Sequence, residues 1–121
     1  MTQEIKSVLM FASAQSPIEA FLPAVEKVLA GSPKQTVANH YSDASGQFHS
    51  GEWTGEPGTW RVNYTEHEFC YVTRGRIVIT DAAGTVTTVQ AGDAFMIPAG
   101  FKGVWQVTES AHKYYVIFEL R

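Results

Sequence analysis

Cysteine, charge and long apolar runs are all scarce in this chain. Cys70 is the only cysteine among 121 residues, so no internal disulfide forms and four-thiolate zinc sites are excluded. A reducing compartment, the cytoplasm, is the expected location. Charged residues make up 17% of the chain, nine basic against twelve acidic, for a net charge of −3. No basic stretch of the kind that follows phosphates is present, so nucleic acid is not an expected partner. Apolar runs fall far short of the roughly 20 residues that span a bilayer, so no membrane helix is expected. Residues 1–6, Met-Thr-Gln-Glu-Ile-Lys, lack the basic start and apolar stretch of a secretory leader, and none is expected. His-x-His and His-x-x-x-His pairs, G-x-S-x-G elbows and Gly-rich phosphate loops are also missing.

Hydrophobic residues make up 45% and aromatics 12%, enough to fill the core of one domain. Val8-Leu9-Met10-Phe11 reads as an edge strand or a partner-covering arm. Ser16-Pro17-Ile18-Glu19 carries a helix-start signature: Ser16 at N-cap, Pro17 at N1, Glu19 completing a capping box. The apolar pattern resumes after Pro23 and ends at Gly31, which predicts one or two short helical turns over 17–30. From Thr36 onward nine strand-like runs follow, at about 36–41, 47–53, 60–64, 68–72, 76–81, 85–89, 94–97, 103–107 and 113–119. Gly, Pro and Asp punctuate them, and no helix-length segment separates them. This spacing predicts an antiparallel sandwich or barrel over 36–121, preceded by an arm and short helix over 1–35.

The turn residues and one carboxylate fall into the frame of the cupin motifs. The first cupin motif runs Gly, five residues, His-x-His, three or four residues, Glu, six residues, Gly. In this chain Gly55 precedes Arg61-Val62-Asn63 by five residues, and Glu68 and Gly75 follow at the four-residue and six-residue spacings. In the second motif, Gly92, Pro98-Ala99-Gly100, Gly103 and Val107 occupy the positions of Gly, Pro-x-Gly, His and Asn. The stretch from about 36 to 119 further resembles the small single-domain cupins related to the ethanolamine-utilisation cupin and to the cupin module of (S)-ureidoglycine aminohydrolase. Gly51-Glu52-Trp53, Glu68-Phe69-Cys70-Tyr71, Ile97-Pro98-Ala99-Gly100-Phe101, Trp105 and Lys113-Tyr114-Tyr115 carry that resemblance. It implies an all-β fold, the double-stranded β-helix or jelly-roll barrel. It also implies a homodimer, paired through edge strands or swapped N-terminal arms.

In metal-binding cupins three His and one Glu hold a divalent metal, and here those positions read Arg61, Asn63, Glu68 and Gly103. Arg61 is permanently cationic and does not ligate, and Gly103 has no side chain. One carboxylate and one amide do not hold a transition metal, so no metal cofactor is expected. The motif frame directs Arg61, Asn63 and Glu68 into the barrel, and strand alternation adds Cys70 and Val72. Arg61 and Glu68 then form either a structural polar plug or an anion-recognising pocket, with Arg61 forked onto a carboxylate and Glu68 as acid or base. Cys70 reads as a buried small hydrophobe on the pocket wall. Trp105, Lys113 and Tyr115 complete the candidate ligand-binding set.

Three functions are consistent with these residues. The first is a cupin that binds a small anionic metabolite in the barrel without the usual metal. The second is an (S)-ureidoglycine aminohydrolase-like or other nitrogen-metabolism enzyme, with Glu68 catalytic and Mn, Ni, Fe or Zn in a rearranged site built from Glu68, His49 and His67. The third is a structural or accessory subunit whose barrel is filled by side chains.

Overall fold

The computed structural model describes residues 7–121; residues 1–6, and with them the reading of the chain's start, lie outside the described residues. Nine strands make up one strongly curled antiparallel sheet: β1 (Glu19–Phe21), β2 (Val28–Gly31), β3 (Gln35–Ser42), β4 (Phe48–Gly55), β5 (Gly58–Asn63), β6 (His67–Asp81), β7 (Val86–Gln90), β8 (Ala94–Ile97) and β9 (Lys102–Phe118). The sheet curls because β6 and β9 are long and bent. The first half of β9 pairs with β5 and with the second half of β6. Its second half pairs with β4 and with the first half of β6. Two sheet faces thus share the same strands, as a jelly roll requires, and side chains from both fill the space between them.

The sequence places turns at Thr73-Arg74-Gly75 and around His112. Both stretches are instead part of continuous strands. The bend in β6 is made by register irregularities between Val72 and Ile77, with Gly75 at φ +86°. A Cβ on Gly75 would stand 2.2 Å from the Ser110 carbonyl oxygen, so the corner requires glycine both for its dihedral and for space.

The short helix expected over 17–30 is two strands and a single 3₁₀ turn, Val25–Lys27. Glu19–Phe21 pairs with the free edge of β3, and Val28–Gly31 pairs with the free edge of β5. A local capping box is worth about 1 kcal/mol, and Pro23 interrupts any longer helix. Open strand edges on both sides offer the same backbone a better use. Val8–Met10, expected with Phe11 as an edge strand or partner-covering arm, have no regular structure, and Phe11 opens another 3₁₀ turn, Phe11–Ser13, packing on His40 and Tyr114. Because β1 and β2 sit on opposite edges, the connection between them runs past the opening of the barrel.

The core is dominated by three tryptophans, Trp53, Trp60 and Trp105, with Val72, Ile77, Ile79, Val89, Ile97 and Val107. Trp53 and Trp105 meet edge to face at 6.2 Å, the geometry that ring quadrupoles favour.

Candidate ligand-binding site

β4, β6 and β9 lie side by side, and their inward residues converge. Trp53 is opposite Lys113, Cys70 is opposite Tyr115, and Glu68 lies two positions along from Cys70. At the centre the Lys113 Nζ donates to Glu68 Oε2 at 2.8 Å and to Cys70 Sγ at 3.2 Å. It also sits over two indole faces, 5.1 Å from the Trp53 ring and 4.8 Å from the Trp105 ring. An ammonium with two bonds made keeps a third N–H. Among the described residues no oxygen other than that of Glu68 accepts from it.

This ion pair is deeply buried, with side chains 3% and 8% exposed for Lys113 and Glu68. Burial acts to strip the proton from Lys113, but the adjacent Glu68 and then Cys70 outweigh it, and the ammonium is held charged beyond the ordinary lysine range. Burial lifts the Cys70 thiol to about 12 despite the neighbouring ammonium, so Cys70 is a neutral thiol, not a nucleophile. Burial, with the Glu68 carboxylate next, also raises the Tyr64 phenol well above its usual value. The same two causes raise Tyr115 to about 12. Tyr115 donates to Asn39 Oδ1 at 2.8 Å, and Trp53 Nε1 donates to Gln35 Oε1 at 2.8 Å. Trp105 Nε1–H is buried and has no acceptor among the described residues.

Above this centre lies a cavity of about 390 Å³, walled by Trp53, Trp60, Trp105, Tyr64, Tyr115 and Ile117. Phe21, Pro23, Ala24 and Lys27 reach its mouth from the N-terminal segment. The described side chains leave this space open. Among the described residues three cations line the cavity, Lys27, Arg61 and Lys113, against two carboxylates, Glu66 and Glu68.

Two expected members of the centre are displaced. Trp60, Val62 and Tyr64 pack on the core, so Arg61 and Asn63, which alternate with them, are exposed and border only the mouth of the cavity. The inward set is shifted by one residue from the frame read with the four-residue spacing. Counting back from Glu68 with the three-residue spacing gives Val62 and Tyr64, the residues found inside. Arg61 is therefore not the partner of Glu68; Lys113 is. Cys70, Trp105, Lys113 and Tyr115 are brought together with Glu68 as expected from alternation. Trp53, Trp60 and Tyr64 were absent from the sequence-based set. Alternation along β4, and along β5 continued one residue to Tyr64, was the available signal.

The donor set does not fit a transition metal. Facing Glu68 are a thiol, an ammonium, a phenol and indole rings, and an ammonium at 2.8 Å occupies the carboxylate. Gly103 cannot be replaced by a ligating side chain in place, because a Cβ there would lie 2.1 Å from the Thr80 carbonyl oxygen. The histidines of the rearranged site are elsewhere. His49 bonds Ser42 Oγ and the Gly46 carbonyl. His67 is exposed, accepts from the Ala99 N–H and stacks on Phe118. Among the described residues no group of His, Cys, Asp and Glu is disposed to hold a metal ion.

A separate polar network lies on the outside of the sheet. Glu52 takes His40 Nε2 at 2.6 Å on one oxygen and His112 Nε2 at 2.7 Å on the other. His40 Nδ1 bonds Ser16 Oγ at 2.7 Å, and His112 Nδ1 bonds Thr73 Oγ1. These bonds fix the N-terminal segment to β3 and β4. Among the described residues, no helix is long and apolar enough to cross a membrane.

A curled antiparallel barrel with inward residues gathered around the glutamate of the first cupin motif is the architecture expected of a cupin. Residues 42–115 match the EutQ-like cupin domain, and the chain belongs to that family. Among solved structures it is similar to a protein of unknown function from Pseudomonas syringae pv. tomato, with a TM-score of 0.77 and 21% identity over 85% of this chain and 45% of that one. The chain thus spans less than half the length of that relative. It is also similar to the EutQ protein of Clostridium difficile, with a TM-score of 0.65 and 20% identity over 72% of this chain and 69% of that one. A third relative is a predicted oxalate decarboxylase from Thermotoga maritima, with a TM-score of 0.70 and 16% identity over 94% of this chain and all of that one. No curated protein matches. At these identities the likeness speaks for the fold alone.

Proposed function

We propose that this chain is a ligand-binding cupin that takes a small, flat monocarboxylate into its barrel without a metal ion. The observation that carries this reading is the buried Lys113 ammonium at the base of the aromatic cavity, which among the described residues bonds one oxygen and one sulfur and otherwise faces indole rings. Glu68 holds that ammonium in place but does not use all its donors. Trp105 Nε1–H supplies a second buried donor, without an acceptor among the described residues. A carboxylate that reached either donor would give it an acceptor, and an unpaired buried donor costs about 1–3 kcal/mol. The tryptophan and tyrosine walls suit an apolar body, and a cavity of about 390 Å³ suits a molecule of metabolite size. With three cations against two carboxylates, the lining complements a single negative charge.

The reading as a metal-dependent aminohydrolase has no such support, since the residues around Glu68 do not form a ligand set. The test is a thermal-shift screen of aromatic and aliphatic carboxylates against their amides, followed by calorimetry. Monocarboxylates are expected to stabilise the wild type, their amides to do so less, and the double variant Glu68→Gln/Lys113→Met to lose the difference. Trp105→Phe is expected to weaken binding about tenfold, as for a lost hydrogen bond to a charged group. Equal shifts with acids and amides, or full binding by the double variant, would refute the assignment.

A further inference from the structure

A second cavity, of about 380 Å³, lies where the N-terminal segment crosses the outer face of the sheet. Strand alternation separates it from the barrel. Val37, Trp53 and Lys113 line the barrel cavity, while Ala38, Glu52 and His112, their neighbours in sequence, line this one. Phe11, Ala14 and Ile18 give it apolar walls. Its polar end is Ser16, His40, Glu52 and His112. Among the described residues no lysine or arginine lines it.

Ser16 caps no helix, contrary to its sequence pattern; its hydroxyl meets His40 instead. Ser16 Oγ lies 2.7 Å from His40 Nδ1, and His40 Nε2 lies 2.6 Å from Glu52 Oε2. The carboxylate fixes the roles along this line. An ionised Glu52 only accepts, so His40 Nε2 carries a proton. In the neutral ring Nδ1 then keeps a lone pair, and Ser16 Oγ–H donates to it. His112 Nε2 holds the other Glu52 oxygen at 2.7 Å, which keeps the carboxylate from turning away. The His40 side chain is 4% exposed and packs on Phe11, whereas Ser16 is half-buried at the cavity wall. A hydroxyl, an imidazole in the accepting tautomer and a carboxylate that orients it are the parts of a nucleophilic triad, which is recognised by roles and not by order in the chain.

We infer that Ser16, His40 and Glu52 form an acyl-transfer site that hydrolyses small, uncharged esters. Ser16 Oγ attacks the ester carbonyl carbon as its proton passes to His40 Nδ1. The bond to the leaving alkoxide then breaks, and that alkoxide takes the proton from Nδ1. Water adds to the acyl-serine in the same way, giving one proton to Nδ1, which returns it to Ser16 Oγ as the carboxylic acid departs. Glu52 acts through His40, holding the tautomer and stabilising the imidazolium. The apolar walls and the lack of lining cations favour an ester without charge. The residue after the nucleophile is Pro17, which has no N–H to offer the oxyanion. One oxyanion donor is worth about 10²–10³ in rate, so turnover is slow, activated esters are the readable substrates, and the acyl-serine accumulates.

p-Nitrophenyl acetate tests this with the full chain. The wild type is expected to release a burst of p-nitrophenolate stoichiometric with the chain and to carry the acetyl group on Ser16 by peptide mapping. Ser16→Ala is expected to lose the burst, and Ser13→Ala, which removes a hydroxyl from the same segment, to keep it. His40→Gln is expected to acylate at least a hundredfold more slowly with unchanged circular dichroism, the general-base contribution being about 10²–10⁴. The role of Glu52 is read by ¹⁵N NMR of the His40 ring, expected at neutral pH as the Nε2–H tautomer. No acetylation, acetyl on another residue, a burst from Ser16→Ala, a folded His40→Gln protein as fast as wild type, or an Nδ1–H tautomer overturns the inference. If His40→Gln does not fold, the mapped acetyl and Ser16→Ala decide.

Discussion

Removing the charge of Lys113 alone, as Lys113→Met, leaves Glu68 buried with no cation beside it. At 2.8 Å the two charges attract by about 6 kcal/mol in an effective dielectric of about 20. Most of that attraction offsets the desolvation of both groups, so the pair itself contributes little net stability. Its breakage is a different matter. An uncompensated buried charge costs about 3–5 kcal/mol, because the survivor has lost both water and partner. Glu68→Gln alone strands the ammonium and is expected to cost a similar amount. The double variant Glu68→Gln/Lys113→Met removes both charges, keeps the volumes close, and is expected to lie within about 2 kcal/mol of wild type. Urea unfolding followed by tryptophan fluorescence reads these differences, with each single variant lowering the midpoint by about 2 M at a typical slope. Additive losses in the double variant, or a loss under about 1 kcal/mol for Lys113→Met, would show that the two groups are not a buried coupled pair.

Two further predictions concern titration and reactivity. Burial acts to raise the Glu52 carboxyl, but its bonds to His40 and His112 prevail and hold it below its ordinary 4.5. A carboxylate lowered on folding contributes stability that is full above the unfolded value and fades as pH falls through the folded one. Glu52→Gln is therefore expected to be less stable than wild type at neutral pH and to show a shallower loss below about pH 4.5, measured by urea midpoints against pH; parallel profiles would refute this. Cys70, with its thiol raised to about 12 and no solvent exposure, is expected to react with a disulfide reagent in the folded protein at least a hundredfold more slowly than after denaturation. Rapid native reaction would contradict that burial.

An antiparallel sandwich or barrel was legible because glycine, proline and aspartate separate short β-branched and aromatic runs from Thr36 onward, and turn chemistry acts locally. Glu68 was legible through the cupin resemblance, whose first motif fixes a glutamate seven residues before the glycine that is Gly75 here. Arg61 was misplaced because a strand has period two, so one residue of ambiguity in a spacing exchanges the inside for the outside. The 17–30 segment was misread because its strands exist only by pairing with β3 and β5, partners no local pattern names.

By itself the sequence determined an all-β domain of short antiparallel strands, since turn chemistry and strand patterning are local; its resemblance to the cupin motifs added the jelly-roll barrel, the inward glutamate and the lack of histidines at the metal positions. The tertiary structure alone decided which cation meets that glutamate. Lys113 stands 45 residues away from it in the chain, and only the pairing of β6 with β9 brings its ammonium to Glu68 between two tryptophan rings.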